Sequence, residues 1–116
     1  MKKESERNFK MKEEIAFVSE GRILSARLRS EIDHHTCRAL RERIDEKLFE
    51  KKPEILIIDF SSVKFMDSSG LGLILGRVEK ASALGARVEV RGLSDSLYKL
   101  VRLSGIERVK NLSIRK

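Results

Sequence analysis

Glu54-Ile-Leu-Ile-Ile-Asp-Phe60, followed by Ser61-Ser-Val-Lys-Phe-Met-Asp67 and Ser68-Ser-Gly-Leu-Gly-Leu-Ile-Leu-Gly76, is the stretch on which the fold turns. Four consecutive apolar residues, three of them β-branched, suit a central strand buried on both faces. The run is far too short to cross a bilayer. Asp67, Ser68 and Ser69 are each able to cap a helix, and Leu71, Leu73, Ile74 and Leu75 supply its apolar residues. The segment therefore reads as a buried strand, a loop from Ser61 to Asp67, and a helix running to about Leu84 with Gly85 at its end.

The flanking sequence repeats this alternation. Upstream, Asp33 offers an N-cap, and Cys37, Leu40, Ile44 and Leu48 recur at helical spacing until Lys51-Lys52-Pro53 closes the helix. Before it, Ile15 to Val18 and Arg22 to Arg29 read as two strands joined through Ser19-Glu20-Gly21. In the second strand Leu24, Ala26 and Leu28 share one face. Downstream, Ala86 to Arg91 reads as a strand, Ser94 to Ser104 as a helix stopped at Gly105, and Ile106 to Leu112 as a last short strand. Strands alternating with helices imply right-handed crossovers. The expected fold is α/β: a mixed, mostly parallel sheet with an N-terminal hairpin at one edge. Residues 1–13 read as a flexible basic segment, 14–112 as a single domain and 113–116 as a short basic tail.

Composition narrows the function. The chain has 116 residues, a formal charge of +7, five Phe, one Tyr and no Trp. Lys2, Lys3, Arg7, Lys10 and Lys12 against Glu4 and Glu6 put net +3 in the first twelve residues. Arg108, Lys110, Arg115 and Lys116 against Glu107 put another +3 in the last ten. The basic excess therefore sits at the two ends and not on a groove-reading helix, and stacking aromatics are scarce, so direct nucleic-acid binding is not expected. No segment suits membrane insertion. One cysteine, Cys37, agrees with a reducing, cytoplasmic compartment and reads as a small core residue. His34 and His35 are adjacent and diverge on a helix, so no metal site is expected. No base is placed near Ser68 for nucleophilic catalysis. The glycines after Ser69 lack a Gly-Lys-Ser/Thr ending, and they begin ten residues after the strand ends, whereas a dinucleotide fingerprint needs a tight turn. No cofactor is expected.

Phe65-Met-Asp-Ser-Ser-Gly-Leu-Gly-Leu-Ile-Leu-Gly-Arg77 resembles the signature of the STAS-domain anti-sigma factor antagonists, above all those of sporulation. Glu31-Ile-Asp-His-His-Thr36 resembles a second segment of that family, at the start of its first helix, and Leu103-Ser-Gly-Ile106 matches as well. The likeness spans residues 14–110. It implies the STAS fold and a phosphoprotein of transcription regulation that is not an enzyme. It also implies phosphorylation of Ser68 by an anti-sigma factor that is itself a serine kinase. The unphosphorylated form would bind that kinase and release a sigma factor, and a serine phosphatase would reset the switch. Asp33, His34, Asp67, Ser69, Gly70 and Leu71 are the implied partner-binding residues. The free protein is expected to be a monomer. A docking subunit of a transporter or stress-signalling complex, and a nucleotide-binding protein, remain as alternatives.

Overall fold

The computed structural model describes residues 14–116. Strands β1 (Ile15–Glu20) and β2 (Ile23–Leu28) form the hairpin. Helix α1 (His34–Lys51), strand β3 (Ile55–Asp59), helix α2 (Ser69–Ala83), strand β4 (Arg87–Arg91), helix α3 (Asp95–Ser104) and strand β5 (Leu112–Ile114) follow. The segment 1–13 lies outside the described residues.

The sheet order is β1-β2-β3-β4-β5, antiparallel between β1 and β2 and parallel thereafter. Each crossover steps to the next position in the same direction. Right-handed connections then place all three helices on one face. Packing agrees: Leu24, Leu56 and Val88, aligned across three strands, share one core with Leu40, Ile44 and Leu48 of α1 and Ile74, Val78 and Ala81 of α2. Leu97 and Val101 of α3 complete it. Burial of each such aliphatic side chain contributes about 1.5–3 kcal/mol before ordering costs.

The expectation that β3 is buried on both faces holds at its centre, where Leu56, Ile57 and Ile58 are all buried. Ile57 is buried but stands apart from this core, on the face without helices. No second layer of described residues covers it.

Three boundaries move. The hairpin turns at Gly21-Arg22 and not through Ser19-Glu20, which pair in register with Leu24 and Ile23. Gly21 has φ of 59°, the left-handed geometry that a two-residue turn needs at its first position. Ile106–Arg108 forms a 3-10 turn, and the last strand begins only at Leu112, where that side chain meets Val88. The short basic tail, 113–116, begins inside β5, which ends at Ile114; Arg115 Nε lies 2.9 Å from Glu89, and Lys116 contacts Asp95. Helix α1 ends as expected, with Lys52 taking a left-handed conformation before Pro53.

Candidate functional site

The two segments singled out in the sequence meet at the end of the sheet where the parallel strands finish. An isolated parallel bridge pairs Ile32 with Met66. The Ile32 amide donates to the Phe65 carbonyl at 3.0 Å, and the Asp67 amide donates to the Ile32 carbonyl at 3.0 Å. This bridge fixes the start of α1 against the start of α2.

Asp33 caps α1. Its Oδ1 accepts from the His35 amide at 2.8 Å and the Thr36 amide at 2.9 Å, while the Asp33 amide donates back to Thr36 Oγ1 at 3.0 Å. This reciprocal box satisfies orphan amides of the first turn. The amide of Thr36 chiefly, with that of His35, holds the Asp33 carboxyl below its ordinary value, against a smaller opposing effect of burial. His34, the first residue of α1, is exposed.

At α2 the roles of the three candidate caps separate. Ser68 occupies the cap position but already has helical angles, φ −61° and ψ −18°, and its side chain makes no capping bond. The cap is Asp67, one residue earlier. Its Oδ1 accepts from the Ser69 amide at 2.8 Å and from the Ser69 hydroxyl. Cys37 Sγ of α1 donates to Ser69 Oγ at 3.3 Å. The Ser69 hydroxyl is thus occupied, as a donor to Asp67 and not as a cap. Ser68 is exposed, and Leu71 is half-buried.

Gly70, in the first turn of α2, has no room for a side chain. It is buried, and a Cβ added there would lie 2.3 Å from Met66 Cγ and Sδ and 3.3 Å from Ile32 Cγ2. Its missing side chain lets α2 close onto the bridge. Gly72 and Gly76 differ: an added Cβ at either would meet nothing within 4 Å. The glycines therefore face opposite ways and do not form a phosphate cradle.

Two features escaped the sequence reading. Phe65, held through its carbonyl in the bridge, leaves 51% of its surface exposed beside the loop. Arg77, at the end of the signature, is only 2% exposed, with Nε 2.6 Å from Asp45 Oδ1 on α1. Burial lowers the pKa of this guanidinium, and Asp45 opposes the shift. The periodicity of α2 could have flagged Arg77, since it falls on the stripe of Ile74, Val78 and Ala81. Nothing local marked Phe65 as exposed.

Among the described residues no three His, Cys, Asp or Glu side chains gather as a metal site requires, and no helix is long and apolar enough to cross a membrane.

Comparison with known proteins identifies the domain family. Residues 14–114 match the STAS domain model. The anti-sigma F factor antagonist of Paenibacillus polymyxa is 33% identical over 87 residues, covering 75% of this chain and 74% of that protein. Its counterpart in Lysinibacillus sphaericus is 34% identical over 80 residues, covering 69% and 68%. The solved structure of the anti-sigma factor antagonist SpoIIAA in its unphosphorylated form superposes with a TM-score of 0.72 at 28% identity, covering 88% of both chains. SpoIIAA of Bacillus in its phosphorylated form gives 0.65 over 88% and 91%. With its five-stranded sheet, its helices and the Asp67-Ser68-Ser69 loop, the chain belongs to the STAS-domain family of anti-sigma factor antagonists.

Proposed function

We propose that the protein is a phosphorylation-controlled partner switch, with Ser68 as the modified residue. In its unphosphorylated form it binds an anti-sigma factor that is also a serine kinase, and so releases a sigma factor in the cytoplasm. Phosphorylated Ser68 abolishes that binding, and a serine phosphatase restores it. One observation carries this reading: the hydroxyl of Ser68 is exposed and makes no capping bond, whereas that of Ser69 is held by Asp67 and Cys37. That the relative SpoIIAA exists in both phosphorylated and unphosphorylated forms supports it. Asp33, His34, Asp67, Ser69 and Leu71 form the contact surface, and Gly70 contributes by setting the shape of the loop.

The switch acts on the interface and leaves the fold intact. A phosphoserine adds about −1.5 to −2 charges at neutral pH. The amino end of α2 favours an anion by about 0.3–1 kcal/mol, and Gly72 leaves open space on the next turn. Asp67 opposes the phosphate, but water screens that repulsion at an exposed lip. On the partner's side, added bulk and charge meet a surface shaped for a hydroxyl.

The test is incubation with the kinase anti-sigma factor of the source organism and ATP. The phosphate should be located by mass spectrometry, and binding and thermal unfolding measured on the same samples. The expected outcome is a single phosphate on Ser68, a melting temperature within a few degrees of the unmodified protein, and affinity lowered at least about a hundredfold, about 2.7 kcal/mol. Ser68→Ala should still bind. Phosphate on Ser69, Ser61 or Ser62, or a phosphoprotein that binds as before, overturns the proposal.

A further inference from the structure

The face of the sheet opposite the helices is left open by the described residues. Register places Val18, Ser25, Ile57 and Glu89 in one row across β1 to β4, with Arg27, Asp59 and Arg91 in the row above. Two adjoining hollows of about 370 and 290 Å3 lie over this face and share Val18, Ser25, Ile57 and Arg91. Their floor is apolar: Val18 is 52% exposed, Ile23 is 40% exposed, and Ile57 lies between the strands that carry them and β4. The rim is basic, formed by the exposed Arg27, Arg29 and Arg91.

Two acids of this face are engaged, and a third, Glu20, stands exposed beside Ile23 at the edge of the smaller hollow, two rows from Arg27. Glu89 lies 2.6 Å from Arg91 and 2.9 Å from Arg115, and the Asp59 carboxylate accepts the Ser61 amide at 2.8 Å. Arg27 donates to the neutral hydroxyl of Ser62 at 3.2 Å, which joins the rim to the loop leading to Ser68. Parallel sheets are ordinarily covered on both faces, and here the described residues cover one.

We propose that this face docks an acidic amphipathic segment of a partner protein. Its carboxylates would lie against Arg27 and Arg29, and its apolar side chains on Val18 and Ile23. Guanidinium groups take carboxylates in a planar two-point geometry, and the apolar floor adds area that a purely ionic patch lacks. Charge selects this occupant over the alternatives. A second copy related by a two-fold axis would set arginine rim against arginine rim. The protein's own first twelve residues carry net +3 and are repelled as well. The proposal does not depend on Ser68, which lies in the loop at the sheet's end.

The test uses the full chain, 15N-labelled, at low ionic strength, where exposed charges are least screened. It is titrated with a synthetic amphipathic peptide of about 15 residues built from Glu, Leu and Ala, and with the same peptide carrying Lys in place of Glu. The expected result is binding of the acidic peptide alone, with amide shifts concentrated on β1 to β4. The Arg27→Gln/Arg29→Gln variant should bind at least about tenfold more weakly with an unchanged melting temperature, and Val18→Ser should bind about threefold more weakly. Four results overturn the proposal: equal binding of the lysine peptide, shifts confined to the Ser68 loop or the chain ends, an unaffected double-arginine variant, or a Val18→Ser variant that binds as before. The last of these would mean diffuse charge attraction and no docking surface.

Discussion

At the start of α1, Asp33 stands at the cap position itself: its Oδ1 accepts two amides of the first turn, and its own amide donates back to Thr36 Oγ1. At the start of α2 the aspartate stands one residue earlier. Asp67 accepts the Ser69 amide and hydroxyl, while the Gly70 amide is taken by the Asp67 backbone carbonyl at 3.0 Å. The residue left at the nominal cap, Ser68, has a helical backbone and an exposed side chain. The two helix starts, fixed to each other by the Ile32–Met66 bridge, thus differ by a one-residue offset of the aspartate. That offset turns a cap into a presented hydroxyl.

The comparison breaks most severely at Gly70. Gly70→Ala forces Met66 out of its place against Ile32, and overpacking of this kind costs about 1–3 kcal/mol. Denaturant unfolding should show that loss, and the amides of both Ile32 and Asp67 should exchange faster, because the bridge depends on the same contact. Equal stability of wild type and variant would mean that Met66 relocates freely and that the bridge is not held from beneath.

Asp67→Ala removes the displaced cap and costs about 0.5–2 kcal/mol. It also frees the Ser69 hydroxyl. Kinase treatment of this variant should place phosphate on Ser69 as well as Ser68, read by mass spectrometry. Continued modification of Ser68 alone would show that the kinase, and not the offset, selects the serine.

Gly72→Ala sharpens the contrast in the opposite direction. The added methyl meets nothing, and alanine is better than glycine in a helix by about 1 kcal/mol, so thermal unfolding should rise by that equivalent. If the partner packs closely on this turn, binding weakens while the fold strengthens. A variant no more stable than wild type would mean that α2 is frayed at its start.

The smallest expected effect concerns acid. Asp33 has a lowered pKa in the folded protein, so its contribution is present above the unfolded aspartate value near 3.8 and lost as pH falls through the lower folded value. Asp33→Asn keeps the capping oxygen without the charge. Wild type should therefore lose more stability than Asp33→Asn on acidification below about pH 5. Both retain the acid sensitivity of Asp95, which Lys116 lowers in the same sense. Parallel pH profiles would remove the charge from the account of the cap. Binding at neutral pH then isolates its other role, since an unchanged affinity of the asparagine variant leaves Asp33 as a cap alone.

Much of this was legible in order along the chain. Asp33 and Thr36 are three residues apart, so their mutual bonds are a local matter, and the stripe of Leu40, Ile44 and Leu48 follows from one helical period. The apolar run of β3 and the alternation of β2 are equally local. Asp67, Ser68 and Ser69 could each cap α2 by propensity. The choice among them came from the Ile32 backbone, which pins the Asp67 amide from 35 residues away in sequence, and from Cys37, which reaches Ser69 from the other helix.

The same distinction explains the misplaced pieces. Ile106–Leu112 carries apolar residues at either end, but the 3-10 turn and the late start of β5 are set by where Leu112 meets Val88 on a neighbouring strand. Gly70 and Gly72 are the same residue type two positions apart; one lies on Met66 and the other faces open space. Helical phase separates them only once the sheet has decided which side of α2 is inside. The sequence by itself determined the elements, the cap of α1 and the family signature, because those depend on neighbours within a few residues. Only the tertiary structure decided which serine is presented, why Gly70 is glycine, and that the described residues leave one face of the sheet without a second layer, because each depends on backbones and side chains brought together from distant parts of the chain.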